Sequence, residues 1–308
     1  MSAIDPKQFG AVGVLMGGWS AEREISLKSG LAVFEALKTA GVDAYPVDVD
    51  RDIASVLARR DFDRVFVCLH GRGGEDGVIQ GLLEAMGTPY TGSGVLGSAL
   101  GMDKLRTKQL WRGADLPTPA WRSLASEADC EAAVAELGLP LIVKPALEGS
   151  SIGMSKVESA ADARQALATA AEYGPVIAEQ WIEGGEYTVS LLGERALPVI
   201  RLETPHAFYD FQAKYEAEDT GYFCPAGLAR QAEHDMQTLA VEAFETLGGS
   251  GWGRVDLMRD SDGNNWLLEI NTVPGMTDHS LVPIAAEAAG MDFRALVLAI
   301  LETAEVAA

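Results

Sequence analysis

Residues 253–271 read GRVDLMRDSDGNNWLLEIN, which is two apolar runs on either side of a polar turn. An Asp-Gly pair between alternating apolar residues is a strong signal for a β-hairpin, and we take the pair at 262–263 as a two-residue turn. Paired positions then have numbers that sum to 525. This register predicts that Asp256 lies directly opposite Glu269.

Four polar side chains share one face of the predicted hairpin, because residues two apart on a strand point the same way. They are Arg254, Asp256, Glu269 and Asn271, while Val255, Leu257, Leu268 and Ile270 take the other face. Opposed like charges destabilise a sheet, so something must offset the repulsion between the two acids. A hard divalent cation would do so, and Mg²⁺ bound by few carboxylates usually also holds substrate phosphates. A solvated strand face with an incidental acid pair is the alternative interpretation.

The composition is typical of a globular protein. The chain has 308 residues, of which 48% are hydrophobic and 22% charged, enough for two or three domains. No apolar run approaches the roughly 20 residues of a membrane span, and the N-terminus lacks a signal-peptide pattern, so we expect a cytoplasmic protein. The three scattered cysteines indicate a reducing compartment. The net charge of −21 argues against nucleic acid or anionic membranes as partners.

The order of predicted elements favours three units along the chain. In residues 1–101 strands alternate with helices, which favours an α/β domain with a parallel sheet, and Ser20 is the predicted N-cap of the first helix. Residues 102–182 and 183–308 form the second and third units. Within the third, residues 205–227 are polar, aromatic and rich in Gly and Pro, without a steady period, which predicts a lid loop.

A possible phosphate site follows a buried strand. Lys144 ends the strand, and the loop EGSSIG at 148–153 comes shortly after it. A glycine–serine loop can turn backbone N–H groups toward phosphates, and a lysine can meet them as a point charge. Because the pattern is not that of a P-loop, these residues alone favour a plain surface turn.

Other positions are ambiguous by themselves. Glu22 could be only an acid favoured at a helix N-terminus. His70 ends a strand, where α/β sheets place ligands, although a histidine there is more often structural. Ser280 and Leu281 open a predicted helix, whose first N–H groups could bind a carboxylate.

Over nearly its whole length the chain resembles the D-alanine–D-alanine ligases of the ATP-grasp family. The resemblance rests on an ordered set of motifs: GGWSAERE at 17–24, HGRGGEDG at 70–77, MDK at 102–104, VKP at 143–145, EGSS at 148–151, FYD at 208–210, KY at 214–215, RVD at 254–256, LEINTVPGMT at 268–277 and HSL at 279–281. It implies a three-domain ATP-grasp architecture and a homodimer. It also implies a ligase that joins two D-alanines through an acyl phosphate, with ATP converted to ADP and phosphate, for peptidoglycan precursor synthesis.

The resemblance implies roles for individual residues as well. The nucleotide would be held by Lys104, Lys144, Ser151, Glu179, Gln180, Trp181, Ile182 and Glu186. Two Mg²⁺ ions, with Mn²⁺ as the alternative, would be held by Asp256, Glu269 and Asn271. The family often has lysine at the position of Gln180, so only backbone contacts carry over there.

Further roles concern the two D-alanines. Glu22 would anchor the ammonium of the first, supported by Ser150 and Tyr215, with His70 beside it. The oxyanion would be stabilised by Arg254 and the Gly275 N–H. Lys214 would help to neutralise charge, and Ser280 and Leu281 would bind the carboxylate of the second D-alanine.

Alternative functions remain open. A ligase could use D-lactate or D-serine as second substrate, but relatives that use D-lactate lack a tyrosine such as Tyr215. A non-catalytic nucleotide-binding regulator would not need to keep both Arg254 and the metal ligands. A dinucleotide oxidoreductase is disfavoured because residues 17–20 do not supply G-x-G-x-x-G.

Overall fold

The computed structural model describes residues 5–204, 220–277 and 280–306. Its strands are β1 Ala11–Gly17, β2 Asp43–Val49, β3 Arg64–Val67, β4 Trp121–Leu124, β5 Leu141–Pro145, β6 Ser155–Val157, β7 Val176–Gln180, β8 Gly184–Leu192, β9 Arg195–Ala196, β10 Ile200–Glu203, β11 Gly221–Phe223, β12 Trp252–Asp260 and β13 Asn265–Asn271. Its helices are α1 Arg23–Thr39, α2 Ile53–Leu57, α3 Val78–Met86, α4 Val95–Met102, α5 Lys104–Gly113, α6 Glu127–Leu137, α7 Ala160–Ala171, α8 Arg230–Thr246, α9 Leu281–Ala288 and α10 Phe293–Glu302.

The N-terminal sheet is parallel, as the alternation of strands and helices predicted, with strand order β2-β1-β3. Its apolar strands are buried, and α1 packs against them. The closing helices α9 and α10 belong to the same hydrophobic core. Residues near the C-terminus therefore support the N-terminal sheet and the loops at its edge.

A second sheet is antiparallel and has the order β4-β7-β5-β6. Helix α6 packs with α7 on one face of this sheet through a small core that includes Cys130 and Leu141. Ser126 and Ser159 cap these two helices with side-chain hydrogen bonds. The other side of the sheet is free to line a site.

The largest sheet runs β11-β10-β8-β12-β13, with β9 beside β8. Helices α5 and α8 cover its apolar face, where Trp111 on α5 is fully buried and donates its indole N–H to the Ala243 carbonyl on α8 at 2.9 Å. This packing holds α5, and the lysines on it, between the second sheet and the hairpin.

The predicted hairpin exists, but its turn was predicted wrongly. Asp256 does pair with Glu269, and Arg254 with Asn271, whereas Leu257 pairs with Leu267 rather than Leu268. The Asp260 N–H donates to the Asn264 carbonyl at 3.0 Å, so the turn is one residue longer than a two-residue loop.

A β-bulge at Leu268 reconciles the longer turn with the register at the acids. The bulge turns Leu267 into the core, where it is fully buried, and leaves Leu268 on the cavity side of β13. The prediction that Leu268 lies on the face opposite the two acids was therefore wrong. Burial of Leu267 explains why the strand accepts the irregularity.

Two other predictions change. Ser20 is not the N-cap of α1, because the helix begins at Arg23 with Glu22 in the cap position; the Ser20 hydroxyl instead donates to the His70 carbonyl at 2.7 Å. The predicted lid ends in β11, an edge strand paired with β10, rather than in loop. Residues 205–219 of that segment lie outside the described residues. No helix in the described ranges is long and apolar enough to cross a membrane.

Candidate active site

A cavity of about 630 Å³ lies between the second sheet and the β12–β13 hairpin. All eight residues predicted to hold the nucleotide line it: Lys104, Lys144, Ser151, Glu179, Gln180, Trp181, Ile182 and Glu186. Asp256 and Glu269 line the same cavity, together with apolar side chains such as those of Ile142, Met154 and Met258. An apolar slot with convergent charged groups at one end is a typical small-molecule site.

The backbone at the end of β7 is partly engaged. The Gln180 N–H donates to the Ala120 carbonyl at 2.8 Å, and the Trp181 N–H donates to the Pro140 carbonyl at 3.2 Å. No hydrogen bond from the Ile182 N–H occurs within the described residues. On this stretch, the backbone donor left for a bound base is therefore at Ile182.

A buried charge cluster supports the cationic end of the cavity. Glu179 pairs with Lys144 at 3.0 Å and with Lys108 at 3.2 Å. Burial would raise the pKa of Glu179, but the two lysines hold it below its usual value. Burial lowers the pKa of Lys108 to about 8. Lys108 has no exposed surface, so it acts on the cavity only through Glu179 and its other neighbours.

Lys104 connects the loop at 148–153 with the hairpin. Its Nζ donates to the Glu148 carbonyl at 2.7 Å and lies 3.1 Å from Glu269 Oε2. Burial would lower the pKa of this lysine, but the carboxylates, Glu269 first, raise it above its usual value. Lys104 therefore stays charged and neutralises Glu269.

Asp256 is surrounded by donors. The guanidinium of Arg254 grips both of its oxygens, at 2.8 and 2.7 Å, and Thr188 Oγ1 donates to Oδ1 at 2.7 Å. The Asn271 amide donates to Oδ2 at 3.2 Å. The repulsion between Asp256 and Glu269, which motivated the metal prediction, is thus offset by Arg254 and Lys104. A metal is not required to explain the fold of the hairpin.

The oxygen atoms of Asp256, Glu269 and Asn271 nevertheless fit magnesium in their chemistry, because hard cations prefer carboxylate and amide oxygens. In the described part of the chain, no group of three or more His, Cys, Asp or Glu side chains is arranged to hold a metal. The candidate set therefore depends on the Asn271 amide and on oxygens from phosphate and water. A bound cation would take over the neutralising task that Arg254 and Lys104 perform here.

A second group of predicted residues adjoins the cavity through the loop at 148–153. Ser150 Oγ donates to Glu22 Oε1 at 2.5 Å, which joins this loop to the start of α1. Arg72, in the loop after β3, pairs with Glu148 at 3.2 Å and forms a second link between the loop at 148–153 and the N-terminal part of the chain. Ser150 has a φ of 51°, a left-handed conformation that costs a residue with a side chain some strain. The predicted association of Glu22 with Ser150 is present.

The other predicted substrate residues lie at the edge of the N-terminal sheet. His70 is 6% exposed, and both ring nitrogens contact protein atoms. Ser280 is the N-cap of α9, and a Cβ placed on Gly275 would lie 3.0 Å from its hydroxyl, so these two positions are neighbours. Leu281 is largely buried in the first turn. Lys214 and Tyr215 lie outside the described residues.

Several residues in or behind the site escaped the sequence analysis. Lys108 follows Lys104 by one helical turn on α5, a spacing that could have indicated a shared face. Thr188 on β8 lies beside Asp256 on β12. Ser29 on α1 and Glu75 in the HGRGGEDG motif contact the loop after the hairpin. No local pattern marks Thr188 or Ser29, because their roles depend on tertiary contacts.

Two family models match the chain. The model described as D-ala D-ala ligase C-terminus matches residues 110–302, and the one described as D-ala D-ala ligase N-terminus matches residues 52–93. The first alone spans more than half of the sequence. The chain belongs to the D-alanine–D-alanine ligase family.

Similar proteins agree with this assignment. The D-alanine–D-alanine ligase of Ectopseudomonas mendocina is 61% identical over 97% of this chain and 96% of its own. That of Alkalilimnicola ehrlichii is 62% identical over 95% of this chain and 94% of its own.

Solved structures of the family superpose well on the fold. A Bacillus anthracis D-alanine–D-alanine ligase complexed with ATP has a TM-score of 0.84 and 31% identity, covering 95% of this chain and 96% of its own. The VanG D-Ala:D-Ser ligase of Enterococcus faecalis also has a TM-score of 0.84 and 31% identity, with 95% and 98% coverage. The ATP-grasp architecture predicted from the motifs is thereby confirmed. The backbone does not separate relatives with different second substrates.

Proposed function

We propose that this protein joins two D-alanines to D-alanyl-D-alanine and converts ATP to ADP and phosphate. One observation carries the proposal. The cavity brings together all eight predicted nucleotide residues with the Asp256–Glu269 pair, in a chain about 60% identical to D-alanine–D-alanine ligases. The product would serve as a peptidoglycan precursor.

The nucleotide would occupy the cavity. Its base would contact the apolar side chains and the Ile182 N–H, and Glu186 would bind the ribose. Its phosphates would approach Lys104, Lys144 and the loop at 148–153. These cations are needed locally because the whole chain carries a net charge of −21, which would repel an anion.

Magnesium would be held by Asp256, Glu269 and Asn271, and its chemical contribution would be to neutralise charge on the phosphates. Two ions would fit the family pattern, and manganese is the alternative. Arg254 and Lys104, released from the two carboxylates, could then turn toward substrate oxygens.

The first chemical step would activate a carboxylate, which is a poor electrophile. A carboxylate oxygen of the first D-alanine attacks the γ-phosphorus, an O–P bond forms, and ADP leaves with the electron pair of the broken bond. Glu22, held by Ser150, would bind the ammonium group of this substrate and fix its direction of attack. Lys144 and Lys214 would neutralise charge during transfer.

The second step would form the peptide bond. The free amine of the second D-alanine attacks the acyl carbon, the carbonyl oxygen gains negative charge, and phosphate leaves as the amine gives up its proton. Arg254 and the Gly275 N–H would stabilise the oxyanion. The Ser280 N–H donates to the Thr277 carbonyl at 3.0 Å, so the Leu281 N–H and the Ser280 hydroxyl, at the start of α9, would bind the carboxylate of the second substrate.

Substrate choice, assembly and location complete the proposal. We expect D-alanine rather than D-lactate or D-serine as second substrate, on the basis of the identity to D-alanine–D-alanine ligases and of Tyr215 in the sequence. We also expect a cytoplasmic homodimer, as the family resemblance implies.

The proposal is tested by phosphate release from ATP in the presence of D-alanine, D-lactate, D-serine and L-alanine, each alone and in pairs with D-alanine. D-alanine alone should support rapid release, and L-alanine should not. A protein that binds ATP but releases no phosphate with any of these would be a nucleotide-binding regulator instead.

A further inference from the structure

The loop at 272–277, which follows the hairpin, is held from the N-terminal side by three side chains. His70 Nδ1 lies 2.8 Å from the Val273 carbonyl oxygen. Ser29 Oγ accepts from the Met276 N–H at 3.2 Å, and Glu75 Oε1 accepts from the Val273 N–H at 3.4 Å. These contacts join residues about 200 positions or more apart in sequence, so they are purely tertiary.

The hydrogen bonds determine the protonation of His70. The Val273 carbonyl can only accept, so Nδ1 must carry a hydrogen. In a neutral imidazole, Nε2 is then an acceptor, and Ser29 Oγ lies 3.2 Å from it. The Ser29 hydroxyl donates its one hydrogen to Nε2 and accepts a hydrogen bond from the Met276 N–H. Each donor in this chain of hydrogen bonds therefore has one acceptor. Burial, which lowers the pKa of His70, also favours the neutral ring.

Both nitrogens of His70 are thus occupied by protein partners. A ring with no free lone pair cannot take a proton from a substrate without breaking this chain of hydrogen bonds. The surroundings of His70 therefore suit a structural connection better than a general base.

Between Val273 and Met276, the same contacts leave one backbone N–H without a hydrogen bond in the described residues, that of Gly275. The N–H groups of Val273 and Met276 are bonded to Glu75 and Ser29, and Pro274 has no N–H. No hydrogen bond from the Gly275 N–H occurs within residues 5–204, 220–277 and 280–306. Gly275 thus lies between two fixed residues, and its N–H is free for a ligand.

We infer that Ser29, His70 and Glu75 are positioning residues that preset the Gly275 N–H as an oxyanion donor. The inference rests on the proposed ligase reaction. It concerns the second step, in which the peptide bond forms. An oxyanion donor is effective when it is fixed before charge develops, because no reorganisation is then needed during the reaction. His70 contacts the loop, not the reacting atoms.

Ser29→Ala tests the inference. Loss of the hydroxyl frees the Met276 N–H and loosens the loop, so kcat should fall about 10- to 100-fold. The KM for ATP should stay within about twofold, because the nucleotide cavity is untouched. Since peptide formation slows while phosphoryl transfer continues, water should intercept more of the acyl phosphate. Phosphate released per dipeptide formed should therefore rise above the wild-type ratio.

Ser26→Ala is the matched control. Ser26 lies one turn earlier on α1, is equally buried, and bonds to Gly17 and Cys68 instead of the loop. The Ser26→Ala protein should lose about as much thermal stability as Ser29→Ala. Its ratio of phosphate to dipeptide should stay at the wild-type value. Equal ratios in Ser29→Ala, Ser26→Ala and wild type would overturn the inference.

His70 supplies a second test if Ser29→Ala does not fold. His70→Asn can keep an N–H donor toward Val273, whereas His70→Ala cannot. A positioning role predicts that Asn retains clearly more activity than Ala and that the pH profile of kcat keeps its wild-type shape. Equal loss in both variants, with one limb of the pH profile missing, would instead identify His70 as a proton-transfer group. Absence of dipeptide synthesis by the wild-type protein would refute the proposed function itself.

Discussion

Asp256 and Glu269 lie directly opposite each other on β12 and β13, and each acid has a cation of its own. Arg254 forms two hydrogen bonds to Asp256, and Lys104 pairs with Glu269. Because of the bulge at Leu268, the two acids stay opposite each other while Leu267 is buried in the core. The hairpin therefore presents two neutralised carboxylates to the cavity, where a metal and phosphates could exchange for the two cations.

Glu269→Gln should separate folding from catalysis. The change is isosteric, and relief of the repulsion between opposed acids offsets the loss of the ion pair with Lys104, so the melting temperature should change little. Loss of a carboxylate ligand should lower phosphate release at least about 100-fold, because a metal ion contributes several kcal/mol to such reactions.

Glu203→Gln is the control for this change. Glu203 lines the same cavity but pairs with Arg201 rather than facing Asp256. Its loss should leave phosphate release within a few-fold of wild type. Near-normal turnover of Glu269→Gln at saturating Mg²⁺ would refute the metal assignment.

Ser150→Ala should weaken the binding of the first D-alanine. The Ser150 hydroxyl donates to Glu22 at 2.5 Å, and a hydrogen bond to a charged group is worth about 1.5–3 kcal/mol. We expect kcat/KM for D-alanine to fall by roughly 10- to 100-fold, with the KM for ATP nearly unchanged.

Ser150→Gly distinguishes the hydroxyl from the backbone. Glycine accepts the left-handed conformation of this position without strain, whereas alanine does not. If the hydroxyl matters, both variants should lose similar activity in steady-state kinetics. Preserved activity in Ser150→Gly alone would mean that backbone strain, and not the bond to Glu22, explains the loss.

Lys108→Met should change how stability depends on pH. Burial lowers the pKa of Lys108 to about 8 from the model-compound value of 10.5. Between these values the unfolded chain binds more protons than the folded one, so the free energy of unfolding rises with pH through that window. Methionine does not titrate, and the variant should lack this increase.

Denaturant unfolding at several pH values across that window measures the difference. Lys156→Met is the control, because Lys156 is partly exposed, forms an ion pair with the exposed Glu158 and lies over the Trp181 ring, whereas Lys108 is fully buried. It should follow wild type. A Lys108→Met curve parallel to wild type from pH 8 to 10.5 would contradict the assigned pKa.

Arg254→Lys should impair the reaction although it keeps the charge. Arg254 holds Asp256 through two nitrogens in a fork that lysine cannot reproduce. We expect kcat to fall about tenfold or more with the fold retained, since each 1.36 kcal/mol of lost stabilisation is tenfold in rate. Far-ultraviolet circular dichroism and steady-state kinetics on one preparation check both parts. Wild-type kcat would remove Arg254 from the oxyanion site.

The sequence predicted which residues line the cavity better than it predicted the contacts that support them. The predicted opposition of Asp256 and Glu269 was right although the turn was not, because the bulge at Leu268 compensates for the extra residue in the turn. The longer turn and the bulge were missed, since they depend on which of two adjacent leucines fits the core.

Two buried polar residues, Lys108 and Ser29, were also not predicted from the sequence. The sequence of α5 is mostly polar, as in a solvent-exposed helix. The buried Trp111 nevertheless holds this helix in the interior, where Lys108 pairs with Glu179. Ser29 is hidden in the same way among apolar neighbours of α1. Local patterns reveal which residues can carry charge or donate a hydrogen, but only the packing of distant segments determines which partners they meet.

The most direct test of the proposed reaction is product analysis by mass after incubation of the protein with ATP, Mg²⁺, D-alanine and D-lactate near neutral pH. We expect D-alanyl-D-alanine to be the main product, with one ADP formed for each dipeptide, and its share over the ester to rise with pH as the attacking amine deprotonates. Ester as the main product, or ADP without either product, would contradict it.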